Sequence, residues 1–181
     1  MPNPWVFGYG SLIWSPGFVF RRSEKALLRG AHRSLSIYSH RHRGTPERPG
    51  LVFGLSRGGS CFGVAFEVEE ARWTGVFDYL QQREQDRGVY REAWRNIVLA
   101  SGETVRALTY LVNEAHPQFA GRLDLDRQVA LVRSGRGESG ANTEYVRRTA
   151  EHLLQLGIRD RTLLAIVEAL DRDAPLMTES A

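Results

Sequence analysis

The sequence predicts an α+β fold, a curved, mostly antiparallel sheet or small β-barrel with α-helices packed on it. Three observations predict it. Five or six short runs of strand character fall between Trp5 and Val112, and glycine-bearing turn signals separate two pairs of them. Amphipathic helical stripes mark one segment among the strands and most of the chain after Asp124. No linker, internal repeat or low-complexity tract divides the 181 residues, so a single domain over 1–172 with a flexible tail at 173–181 is expected.

The first element is WVFGYGSLIW, Trp5 to Trp14. Its first half is an apolar run of types that suit a buried strand. Gly8 and Gly10 then flank Tyr9 and permit torsions or close approaches closed to residues with a Cβ, and Ser11 adds a small hydroxyl. Such a loop is either a cradle of backbone N–H groups for an anion or oxyanion, or a tight turn between two strands. It lacks the third glycine of a dinucleotide fingerprint and the Gly-Lys-Ser/Thr of a nucleotide P-loop.

Residues 27–39 alternate Leu35 and Ile37 with Ser34, Ser36 and Tyr38, the pattern of a half-buried strand. HRHRGTPERPG, His40 to Gly50, breaks it with two prolines and two glycines, and reads as a surface loop. Leu51–Leu55 and Cys61–Val68 read as two strands joined by a hairpin at Gly58-Gly59, and Val89–Leu99 and Thr104–Val112 as a second hairpin about Ser101-Gly102. Between the pairs, Trp73, Val76, Phe77 and Leu80 fall at i, i+3, i+4 and i+7, a helical stripe within Glu69–Glu84 that should face the sheet. Later helices are expected at Asp124–Arg133 with Leu125, Val129 and Val132 as its stripe, from a Thr143 cap to Leu156, and from an Asp160 cap to about Leu170.

Composition excludes several classes. One cysteine, Cys61, allows no internal disulfide, and the N-terminus has no positive segment followed by a long apolar run, which fits a reducing cytoplasm. The longest apolar runs are too short for a membrane span. The net charge of +3 is spread among 21 acidic residues, with no basic block of the kind that tracks a nucleic-acid backbone. The expected partner is a small molecule, anionic by preference, with neither nucleic acid nor membrane.

Extending the first helical stripe four residues beyond Leu80 reaches Glu84, which places a carboxylate on the apolar face. Burial and the negative end of the helix raise its pKa, while Arg83 and Arg87 oppose them. A carboxylate tuned toward neutrality suits a general acid/base; the alternative is an ordinary ion-paired residue at a helix end. His40 and His42 have no third ligand at a plausible spacing, and the neighbouring arginines disfavour a cation, so no metal site is expected. Ser11 lacks a nucleophile elbow, and Cys61 reads as a buried, inert thiol. GESGANTEY, Gly137 to Tyr145, is a loop delivering Tyr145 to the first turn of a helix, either as core or over a ligand.

Taken together, VFGYGSLIW at Val6 to Trp14, RGTPERPG at Arg43 to Gly50, GGSCFGVAF at Gly58 to Phe66, YLQQRE at Tyr79 to Glu84 and SGANTEY at Ser139 to Tyr145 resemble the ChaC-type gamma-glutamylcyclotransferases. The resemblance implies a small mixed β-barrel with flanking helices and release of 5-oxoproline from a gamma-glutamyl peptide. The implied substrate is glutathione, with Cys-Gly as second product and no metal or organic cofactor. It also implies Glu84 as catalytic carboxylate, with Val6, Phe7, Gly8, Tyr9, Gly10, Ser11 and Leu12 binding substrate around the Tyr-Gly-Ser-Leu loop, and Tyr145 as a substrate contact. The chain departs from the family's pattern over Ser36–Arg41 and Gln85–Tyr90, segments that bear on which gamma-glutamyl compound is taken. The alternatives are cyclotransfer on other gamma-glutamyl amino acids or amines, and a non-catalytic small-molecule-binding domain.

Overall fold

The computed structural model describes residues 3–85 and 88–172. The tail expected at 173–181, and Arg87 with its expected pull on Glu84, lie outside the described residues. Five strands, β1 (Trp5–Gly8), β2 (Arg22–Ser39), β3 (Gly50–Glu67), β4 (Tyr90–Leu99) and β5 (Thr104–Val112), close into a barrel in the order β1-β3-β2-β4-β5. All neighbours are antiparallel except β1 and β5, which seal the barrel in parallel through Trp5 opposite Ala107 and Val6 opposite Leu108. The mixed barrel expected from the sequence is the fold found. Among the described residues no helix is long and apolar enough to cross a membrane.

Gly58-Gly59 is not a hairpin. β3 runs through it as one strand of 18 residues, paired with the equally long β2. Both glycines have positive φ, as does Gly30 opposite them, and the register slips between Arg29 and Ala31. The conformational freedom that the sequence offered to a turn is spent on a bulge, which bends two long strands around the barrel. The second hairpin is as expected, with Gly102 at φ 90° in its turn.

Strand alternation sorts the apolar side chains into two layers. Phe7, Leu28, Leu55, Ile97 and Ala107 belong to a core shared with α2 (Leu125–Ser134), α3 (Asn142–Gln155) and α4 (Arg161–Arg172). Val6, Phe66, Leu108 and Tyr110 face the other way, onto Val76 and Leu80 of α1 (Trp73–Gln85). Asp124 caps α2 through Arg127 N–H at 2.7 Å, and Asp160 caps α4 through Leu163 N–H at 3.1 Å. Two expectations are corrected. Leu125 is exposed while Leu131 joins Val129 and Val132 in the core, because the buried face of α2 lies in its second turn and not its first. Thr143 does not cap α3; the helix begins at Asn142 after Ala141, and Asn142 is turned into the protein.

Candidate active site

The site begins where β1 ends. A Cβ on Gly8 would stand 2.9 Å from the Leu12 Cβ, so the chain folds back on itself only with glycine there. Gly10 lies against the opposite wall, where a Cβ would stand 3.5 Å from the Phe53 Cβ and 3.5 Å from the Tyr145 Oη. The chain then enters a 3-10 turn over Ser11–Ile13, closed by Ile13 N–H to Gly10 O at 3.0 Å, and not a second strand. The leading N–H groups of such a turn have no partner within it. The loop is held from below by Arg33 of β2, whose side chain is 4 % exposed and ion-paired to Asp160 at 2.8 Å. Its Nε donates to the Tyr9 carbonyl at 2.6 Å and its Nη2 to the Phe62 carbonyl at 2.5 Å.

Glu84 comes to this loop from the last turn of α1, on the face its apolar stripe predicts, with 15 % of its side chain exposed. Burial raises its pKa above the ordinary carboxylate value and Arg83 opposes the rise; burial wins. Arg83 also ties the two pieces together. Its Nε lies 3.2 Å from Glu84 Oε1, its Nη2 donates to Ser11 Oγ at 2.9 Å, and its Nη1 donates to the Ser15 carbonyl at 2.8 Å.

The opposite wall is built on the open edge of β3, beyond the reach of β1, which pairs only with Val64–Glu67. Side chains supply the partners a strand would have given. Asn142 accepts from Leu51 N–H at 2.6 Å and donates to Leu51 O at 2.8 Å. Tyr145 Oη accepts from Phe53 N–H at 3.1 Å, and Tyr90 Oη donates to Phe53 O at 2.9 Å. Asn142 and Tyr145 lie three apart on one helix face and match residues two apart on a strand. The Asn-Thr-Glu-Tyr stretch is thus a graft onto a sheet edge, and it brings Tyr145 over the site as part of the buried core.

Tyr9, Gly10, Ser11, Leu12, Phe53, Glu84, Tyr90, Tyr110 and Tyr145 enclose a cavity of about 330 Å³. Burial, assisted by the Glu84 charge, raises the Tyr9 and Tyr90 phenols well above their ordinary value; burial likewise takes Tyr145 to about 12. The lining is therefore neutral donors around one carboxylate. Outside it, Glu84 and Tyr90 also wall a cleft of about 1050 Å³ reaching Trp14, Arg43 and Ser139, and a second of about 530 Å³ under Ile37, His40 and Val89.

Loop 40–49 is less of a surface loop than its composition suggests. Glu138 N–H bonds the Arg41 carbonyl at 2.8 Å and Ser139 N–H the His42 carbonyl at 2.9 Å, while β6 (Arg136–Gly137) and β7 (Gly140–Ala141) form a short hairpin beside them. Arg43 is buried as a result, its Nη1 3.2 Å from the Ala141 carbonyl and its guanidinium carbon 5.3 Å from the Tyr145 ring centre. Burial lowers its pKa. It forms no ion pair among the described residues, and it faces the large cleft.

Of the residues singled out in the sequence, Glu84, Tyr9, Gly10, Ser11, Leu12 and Tyr145 meet at one cavity. Val6, Phe7 and Gly8 lie in the strand beneath, Val6 and Phe7 fully buried on opposite faces of the barrel wall. Cys61 is buried, and burial raises its thiol pKa. His42 is hydrogen-bonded to Ser139 Oγ at 3.0 Å. Among the described residues, no three His, Cys, Asp or Glu side chains are grouped to hold a metal ion. The sequence does not single out Arg43, Tyr90 or Tyr110, and it marks Arg83 only as a charge beside Glu84.

Known proteins share this fold. A crystal structure of a gamma-glutamyl cyclotransferase specific to glutathione from yeast superposes with a TM-score of 0.85 at 23% identity, covering 95% of this chain and 97% of its own. The glutathione-specific gamma-glutamylcyclotransferase of Escherichia coli (strain K12) is 31% identical over 156 residues, which are 86% of this chain and 68% of that protein. Glutathione-specific gamma-glutamylcyclotransferase 1 of Homo sapiens is 32% identical over 177 residues, 94% of this chain and 80% of its own. The family model described as ChaC-like protein matches residues 4–173, the whole barrel and its helices with the Glu84 cavity among them, so the chain belongs to the ChaC-like family.

Proposed function

We propose that this protein is a gamma-glutamylcyclotransferase that cleaves glutathione to 5-oxoproline and Cys-Gly, with Glu84 as base and then acid. The observation that carries the reading is a largely buried carboxylate walling a cavity with the Tyr9–Leu12 loop, in a chain whose relatives are named for this activity. In a gamma-glutamyl peptide the α-amine and the γ-carbonyl belong to one residue. The amine attacks that carbonyl, a five-membered lactam forms, and the amide bond to the leaving peptide breaks. The proton lost by the amine equals the one gained by the leaving nitrogen, so one carboxylate can carry it across. The raised pKa of Glu84 suits both steps.

The rest of the wall supports the same reading. Backbone N–H groups of the Gly8–Leu12 loop are donors for the substrate carboxylate or the developing oxyanion. Arg43, a buried cation with no ion pair among the described residues, suits the remaining carboxylate of the substrate. We take the molecule to act as one domain over 1–172 on a small-molecule partner, in a cytoplasmic setting that keeps Cys61 reduced. The test is Glu84→Gln, which keeps the size and polarity of the side chain. Turnover of glutathione should fall on the order of a hundredfold to ten-thousandfold with glutathione still bound; near-full turnover would remove Glu84 from the mechanism.

A further inference from the structure

Among the described residues, two buried side-chain polar atoms lack a hydrogen-bond partner, Gln128 Oε1 and Tyr110 Oη. Gln128 belongs to α2, away from the site. Tyr110 is 1 % exposed and walls the same cavity as Glu84. A buried hydroxyl with no partner forgoes its hydrogen bonds to water, and such groups are rare enough to require a reason. Packing does not supply one. On β5 the ring fills the layer beneath α1 beside Leu108, and phenylalanine would fill that space equally without a polar atom to desolvate.

The neighbouring phenols sharpen the contrast. Tyr90 spends its proton on the Phe53 carbonyl, and the Tyr145 oxygen is taken by the Phe53 N–H. Tyr110 alone of these three has both its proton and its lone pairs uncommitted, in a side chain that lines the cavity. Resting on the cyclotransferase reading above, we infer that Tyr110 is a further catalytic residue whose hydroxyl donates a hydrogen bond to the oxygen of the γ-carbonyl as it becomes the oxyanion of lactam closure. Burial, followed by the Glu84 and Glu92 charges, raises this phenol above its ordinary value, so it stays a donor at every working pH. Its donor is fixed before the reaction by a buried strand, the condition under which such a group acts on the transition state more than on bound substrate.

The test is Tyr110→Phe beside wild type and Glu84→Gln, with steady-state kinetics on glutathione and thermal unfolding. The variant removes no hydrogen bond within the protein, so its unfolding midpoint should equal or exceed that of wild type. Its kcat should fall about a hundredfold with KM within about threefold of wild type. Three results would overturn the inference: a kcat within about threefold of wild type, a rise in KM at unchanged kcat, or a loss of activity accompanied by a lowered midpoint. Wild type inactive on glutathione would instead remove the cyclotransferase reading, and this assignment with it.

Discussion

Arg33 Nε stands 2.6 Å from the backbone carbonyl of Tyr9. That bond reaches from the barrel's second strand into the loop that walls the candidate site, and the same guanidinium is paired to Asp160 at the start of α4. The loop's geometry is therefore tied to the helical layer through one buried cation. Replacing Arg33 with methionine leaves the Tyr9 and Phe62 carbonyls without this donor and the Asp160 carboxylate with its Leu163 N–H cap alone. We expect a loss of about 3–5 kcal/mol of stability, the usual result of stranding one half of a buried pair. Denaturant unfolding measures it, and a cost below about 1 kcal/mol would show that the loop holds itself.

Asn142 replaces a missing strand at Leu51. Asn142→Ala orphans one buried N–H and one buried C=O and should cost about 1–3 kcal/mol for each group left unpaired. Hydrogen exchange at Leu51 should accelerate in the variant, while exchange at Ala65, paired with β1, should respond only to the global loss.

Gly137 and the Arg41 carbonyl are pressed together. A Cβ at 137 would stand 2.1 Å from that oxygen, and backbone cannot give way as a side chain end does. Gly137→Ala should cost about 1–3 kcal/mol and displace the loop that buries Arg43. If Arg43 binds a substrate carboxylate, KM should rise with it; unchanged KM in a folded variant would contradict that role.

The raised pKa of Glu84 has a signed consequence. A folded-state value above the unfolded one means that the linked stability is complete below the unfolded value and is lost as pH rises through the folded value. Glu84→Gln removes that loss. Its unfolding midpoint should exceed that of wild type at about pH 7, and the difference should vanish by about pH 4, where both states hold the proton. In wild type, kcat/KM should fall on the acid side through a pKa above the ordinary 4.5 of a glutamate.

Much of this was legible in the sequence, unevenly and for physical reasons. Glu84 could be found because Trp73, Val76, Phe77 and Leu80 fix a helix face and position 84 extends it; periodicity left an ion-paired helix end open as well, and the structure shows the side chain 15 % exposed. The Gly58-Gly59 hairpin failed because a double glycine serves a bulge as well as a turn, and only the partner strand, with Gly30 at the same level, decides between them. Arg43 left no signal: among polar and turn-forming residues an arginine reads as solvated, and its burial arises from backbone contacts with residues some 95 positions away. Tyr90 and Tyr110 lie within strands, where what distinguishes a tyrosine is the partner of its hydroxyl, and that partner is set by the fold: the Phe53 carbonyl for Tyr90 and none among the described residues for Tyr110.

The ratio of products separates lactam closure from hydrolysis. Purified protein incubated with glutathione should form 5-oxoproline and Cys-Gly in equal amounts, since each lactam closure expels one dipeptide. Glutamate in place of 5-oxoproline would mean that water, and not the α-amine, attacks the carbonyl, and no product at all would mean that glutathione is not the substrate.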